Sequence, residues 1–143
     1  NPDTDVEDIR PNALGAETPL PVTANARAFR VLGRNAMLRR VELAALGRWT
    51  ALSDLDGEDG WNATAWMDAM AVYREEYDSI GTGAGSRGPD LFMVEEGTTT
   101  WSVRQTFDDP EGDRDWGISA QVDLVRSDEI GEAAVTIVAV GPV

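Results

Sequence analysis

This chain predicts an α+β domain, with its helices first and an antiparallel sheet after them. Two observations carry that expectation. From Thr99 to Leu124 the apolar residues alternate. Trp101, Val103 and Phe107 share one face against Ser102, Arg104 and Thr106, and after an acidic loop Trp116, Ile118, Ala120, Val122 and Leu124 resume the pattern. Period two over this length marks half-buried antiparallel strands. Upstream, Trp66, Met70, Tyr73, Tyr77 and Ile80 recur at helical spacing in one narrow stripe. A sheet face bearing two tryptophans and a phenylalanine needs a cover, and the helical half supplies it.

In chain order, residues 1–22 hold Pro2, Pro11, Pro19 and Pro21 among acids. Proline fixes φ and disfavours helix at the residue before it, so this segment reads as an extended linker or strap. The chain starts without Met in this acidic stretch, as expected of a piece of something longer. Residues 23–143 form one domain.

Thr23 to Leu55 is the first helical region, with Thr23 or Asn25 as N-cap and Gly57 past its end. It carries two apolar faces: Phe29, Leu32, Ala36, Leu43 and Leu46 on one, Val31, Leu38, Val41, Ala45 and Leu52 on the other. A surface helix needs one stripe, so the second face either docks on another body or is buried within this one. Gly33 and Gly47 are candidate breaks, each costing about 1 kcal/mol against Ala inside a helix. Ala63 to Ile80 is the second helix, capped by Asn62 and ended by Gly81.

A loop over Gly81 to Asp90 leads to a short strand at Leu91 to Glu95, and Glu95-Glu96-Gly97-Thr98 turns it into the hairpin. Arg126 to Gly131 is a turn. Ala133 to Val140 is a last strand, apolar on both faces and therefore expected at a central or covered position. Two helical segments packed on a curved four-stranded meander are similar in order to the cystatin-like or nuclear transport factor 2-like cone, by analogy alone.

Composition limits the chemistry. The 143 residues contain no Cys, His or Lys, and all 12 basic residues are Arg. Disulfides, thiolate or imidazole metal sites, His-based nucleophile activation and lysine chemistry are thereby excluded. No apolar run is long enough for a membrane span, and Asn1 to Arg10 lacks the apolar core of a signal peptide. The net charge of −14 is uneven: Arg27 to Arg48 carries six arginines and one acid (+5), leaving −19 on the rest. An acidic body repels phosphate, so only the arginine segment is fit to meet nucleic acid.

Several motifs invite sharper readings. Gly83-Ala84-Gly85-Ser86-Arg87-Gly88 spells GxGxxG, but a helix precedes it and a strand follows, the reverse of a dinucleotide site. It reads as a flexible connector. Asp108, Asp109, Glu111, Asp113 and Asp115 crowd one loop. Counted from Asp109, however, the sixth position is Arg114 and the twelfth Ala120, where a calcium loop needs Gly and Glu. A solvated hairpin turn is the reading, and no metal site is expected. Glu75 and Glu76 are adjacent and point apart on a helix, so they make no catalytic pair.

Two binding surfaces stand as candidates. Arg27, Arg30 and Arg34, with Arg39 and Arg40 beyond, form a face able to grip phosphate. The same residues could instead pair with the chain's own acids. Trp66, Tyr73, Tyr77, Trp101 and Trp116 would line a small-ligand pocket between helices and sheet if that space is open. In that case Gln121 or Asp123 would point into it. A packed core is the plainer reading of the rings.

Three stretches go further. VTANARAFRVLGRNAMLRRVELAAL, TAWMDAMAVYREEYDSIGTGAGSRGPDLF and WSVRQTFDDPEGDRDWGISAQVDL resemble the extreme C-terminal, uncharacterised domain of actinobacterial superfamily II DEAD/DEAH-box RNA helicases. The resemblance covers residues 20–141, and Arg114 to Leu124 is its most specific piece. It implies an ATP-dependent, cytoplasmic parent whose motor motifs, ATP and Mg lie outside this chain. No catalytic residue or cofactor is implied here. The implied partners are the helicase core and RNA, with no membrane; a protein–protein adaptor is a further alternative.

Overall fold

A computed structural model describes residues 20–143. Most of the linker expected over residues 1–22 therefore lies outside the described residues. Asn25 opens α1 (Ala26–Leu46), its side chain accepting the Ala28 N–H at 3.0 Å. This satisfies one of the orphan donors of a helix start. Thr23, the other candidate cap, instead donates its hydroxyl to Asp128, 105 residues away.

The first helical region is two helices, not one. Gly47 takes φ 68°, its N–H reaches Ala44 O and the next N–H reaches Leu43 O, and α2 (Trp49–Asp56) starts afresh. A left-handed residue closing a helix this way is nearly cost-free only for glycine. Gly33, the other candidate break, stays helical and buried beneath the Phe92 ring. The assignment of two faces also needs correction. Leu38, Val41 and Leu52 of the second face are buried in this domain, whereas Leu32 and Leu46 of the first are exposed. The buried stripe of α1 is Phe29, Gly33, Met37, Arg40 and Ala44.

Asn62 caps α3 (Ala63–Glu76) through the Ala65 N–H. The helix stops short of the stripe's end, with Tyr77 already extended at φ −134°, ψ 142°. Tyr77 and Ile80 are nonetheless buried, so the stripe continues into the core after the helix has ended.

The sheet is an antiparallel meander in the order β1-β2-β3-β4: β1 (Phe92–Glu95), β2 (Thr100–Thr106), β3 (Trp116–Asp123) and β4 (Ala134–Pro142). Trp101 pairs with Val122 and Val103 with Ala120, which aligns the two apolar faces of the central hairpin. Helices N-terminal and strands C-terminal make this the α+β architecture that the two periodicities predict.

Two details differ. The turn expected at Arg126 to Gly131 is a short helix, α4 (Leu124–Ile130), capped by Asp123 and closed by Gly131 at φ 75°. Strand β4 lies at the edge, not the centre, and only Ile137 along it is buried. A bulge opposite Ser119 and Ala120 skips Val138, leaving it 56% exposed. Extra residues of this kind twist an edge away from further pairing.

The inner face of the sheet and the helices share one core. Tyr73 sits at its centre, its ring centroid 5.1 Å from Tyr77, 5.2 Å from Phe107 and 5.5 Å from Trp116. Phe29 of α1 meets Trp101 of β2 edge-on at 5.0 Å. Edge-to-face pairs of this kind add about 0.5–1.5 kcal/mol beyond their area. Among the described residues no helix is long and apolar enough to cross a membrane.

Candidate functional site

The five arginines of α1 do not share a face. On a helix of about 100° per residue, Arg27, Arg30 and Arg34 fall within about 60° of one another, and Arg39 lies about 140° from Arg34. Arg27, Arg30 and Arg39 are exposed and Arg34 is half-buried. Arg30 lies over the Phe92 ring at 5.5 Å and reaches the Phe92 carbonyl at 3.4 Å, which holds it against β1 while it stays wet. Cation–π contacts and a backbone acceptor steady an arginine without neutralising it.

Arg40 belongs elsewhere. It is 6% exposed and grips Asp56, itself fully buried, through Nε at 3.0 Å and Nη2 at 2.7 Å. Its Nη1 donates to Ala36 O at 3.0 Å. This is a closed internal clasp between α1 and the end of α2, so Arg40 leaves the candidate nucleic-acid set. Glu42, the one acid of the basic segment, faces Arg87 at 3.8 Å. The accessible positive flank is thus Arg27, Arg30 and Arg34 on the side of α1 next to β1.

The rings proposed to line a pocket fill the space themselves. Trp66 and Tyr73 are fully buried, and Tyr77, Trp101 and Trp116 are at most 6% exposed. Trp66 leans on Trp61 at 5.2 Å, and its indole N–H has no acceptor among the described residues. Gln121 and Asp123 do not point inward; both are exposed, and Asp123 caps α4.

The acidic loop is a hydrogen-bonded knot. Asp109, 3% exposed, accepts from the backbone N–H groups of Glu111 (2.9 Å), Asp113 (2.9 Å) and Arg114 (2.7 Å). Burial alone would raise its carboxyl, but those N–H groups outweigh burial and hold it below the usual carboxylate range. They also hold Arg114 at φ 58°, and its side chain pairs with Asp90. Tyr77 lies between Asp113 (2.8 Å) and Asp115 (2.9 Å), and its phenol is pushed well above its ordinary value by burial and then by those acceptors. Among the described residues no group of three or more acids is placed to hold a metal ion.

The loop from Gly81 that holds the GxGxxG stretch is a connector, and two short 3-10 turns build it, Ala84–Arg87 and Pro89–Leu91, with Ser86 buried. Its glycines make room for a carboxylate. A Cβ on Gly81 would lie 2.5 Å from Asp108 Oδ2, and one on Gly85 2.9 Å. An acid seated there opposes a phosphate. Sequence reasoning also missed an apolar groove between α1, α2 and α3, where Ala45, Trp49 and Met70 stand beside Leu46 (65% exposed) and Met67 (47% exposed).

No curated protein and no solved structure matches the chain. A family described as "Domain of unknown function (DUF3516)" matches residues 1–140, nearly the whole length, and the chain belongs to that family.

Proposed function

We propose that this is a non-catalytic accessory domain of an ATP-dependent RNA helicase, which contacts RNA through one flank of α1 and docks on the motor. The observation that carries it is the placement of Arg27, Arg30 and Arg34 together at the surface while the rest of the chain is acidic. Arg27, Arg30 and Arg34 gather on one flank, and the −19 borne outside the Arg27–Arg48 segment disfavours a phosphate backbone over most of the remaining surface. The resemblance of three long stretches to helicase C-terminal regions supplies the parent. Docking falls to the groove holding Leu46 and Met67, since most of the second apolar face of the helical region is spent on the domain's own core.

The test is fluorescence anisotropy of labelled single-stranded RNA with the 143-residue chain across a salt series, beside Arg30→Glu/Arg34→Glu. Single-strand binding loses about 0.7 of salt slope per phosphate contact removed, so the variant should lose about 1.4 in slope and most of its affinity. Absence of binding at low salt, or equal binding by the variant, would remove RNA from the proposal.

A further inference from the structure

The sheet has an outer face that the core does not use, and a half-buried cation, Arg104, stands on it. Arg40, Arg87, Arg114 and Arg126 each meet a carboxylate. Arg104, at the middle of β2, is half-buried and meets none among the described residues. Its Nη1 donates to Ser119 Oγ at 2.8 Å, and its Nη2 to Gly141 O at 2.9 Å and Asp115 O at 3.5 Å. An arginine has five N–H donors. The two left over are one on Nη1 and the Nε–H, which is buried without an acceptor. The guanidinium is therefore fixed across three strands by neutral groups, with its full charge uncompensated in a chain of net charge −14.

It also lines a depression of about 530 Å³, within the size range of small-molecule sites. Met93 and Val138 give this depression apolar walls, Ser102 and Gln121 bring an exposed hydroxyl and amide, and Glu95 contributes a negative charge. We infer that the outer face of the sheet is a binding site for a small carboxylate with a short apolar tail, its carboxylate on Arg104 and its tail between Met93 and Val138. A prepositioned arginine loses little freedom on binding. One cation without a carboxylate partner matches a single negative charge, and Glu95 elsewhere in the lining disfavours a second. A dianionic phosphate would carry a second charge that only Glu95 faces. This site is on a different face from the arginine flank of α1 and stands independently of the RNA reading.

The test is a titration of the ¹⁵N-labelled 143-residue chain followed by amide chemical shifts, with hexanoate, hexanol and hexyl phosphate as probes. Hexanoate should give saturable shifts at Ser102, Arg104, Ser119 and Gln121, at least tenfold tighter than hexanol or hexyl phosphate. Arg104→Gln should weaken hexanoate tenfold or more with the rest of the spectrum unchanged. Glu95→Gln, at an exposed position that leaves the fold alone, should tighten it about threefold. Equal shifts from hexanol, or hexanoate binding that Arg104→Gln leaves alone, would overturn the site. Tighter hexyl phosphate would overturn the carboxylate. Should Arg104→Gln fail to fold, Glu95→Gln decides, and unchanged affinity there counts against the proposal.

Discussion

Arg40 and Arg104 are both drawn out of water, and they resolve the same difficulty in opposite ways. Arg40 sits on the buried stripe of α1 and finds Asp56 at 2.7 Å. Arg104 sits on the outer face of β2 and finds a hydroxyl and carbonyls. Desolvating a guanidinium is costly, and burial lowers the Arg104 pKa below its ordinary value. The carboxylate of Asp56 offsets that cost inside the clasp, at the price of making each partner dependent on the other. Carbonyl dipoles offset it only in part and leave charge available. One arginine is structure, and the other is a surface with something left to bind.

The largest expected effect follows from breaking the clasp. Asp56→Ala strands Arg40 at 6% exposure with one acceptor, Ala36 O. Breaking a buried pair from one side costs about 3–5 kcal/mol. Urea unfolding of the 143-residue chain should show that loss, and Arg40→Met/Asp56→Leu should recover most of it, because no charge is left behind. A single-variant loss below about 1 kcal/mol would mean that water reaches Arg40 and that the two arginines are alike.

Arg104→Gln sharpens the contrast from the other side. It removes up to three donated hydrogen bonds but orphans no charge, since no carboxylate waits for it. The glutamine amide can still donate towards Ser119 or Gly141, so the net loss in the same urea experiment should be about 1 kcal/mol. A loss matching that of Asp56→Ala would make Arg104 a structural staple of β2, β3 and β4.

How much of this contrast could be read beforehand depends on which periodicity carried it. The alternation of β2 places Ser102, Arg104 and Thr106 on the outer face; Ser102 and Arg104 keep solvent contact there, whereas Thr106 is buried. Charge density along the chain groups Arg40 with the other arginines. The successive steps of four, four and three residues from Phe29 through Gly33 and Met37 to Arg40 mark the buried stripe, and that signal places Arg40 on it. Its partner could not be found so, because Asp56 enters only after the chain turns at Gly47. The stripe of α3 overran the helix because Tyr77 and Ile80 fill the same core from extended backbone. Helix α4 was missed although Asp123 and Gly131 supply cap and stop, since seven residues leave too little apolar period to see. The apolar sequence of β4 suggested a central strand, but the bulge at Val138 and the edge position expose much of it. That a half-buried guanidinium is held by neutral groups alone, as Arg104 is among the described residues, is a statement about every neighbour at once and has no sequence signature.

The smallest effect belongs to a third arginine. Arg126 faces Glu129 at 3.5 Å on α4, with both side chains about 60% exposed. Here neither group has left water, so there is no desolvation for the pair to offset and little Coulomb energy to gain. Two long side chains must also give up rotamers to hold one geometry. The cap of α4 survives the substitution, because Asp123 accepts the backbone N–H of residue 126, not its side chain. Arg126→Ala should therefore change stability by no more than about 0.5 kcal/mol. A loss above about 1 kcal/mol would mean that the Arg126 stem packs on α4's surroundings, since salt-screened charge at this exposure cannot supply it. The same substitution removes a positive charge that belongs neither to the Arg27, Arg30 and Arg34 flank nor to the lining of the Arg104 depression. It should leave both the RNA salt slope and hexanoate binding where they are, which tests whether those effects belong to particular arginines or to net charge alone.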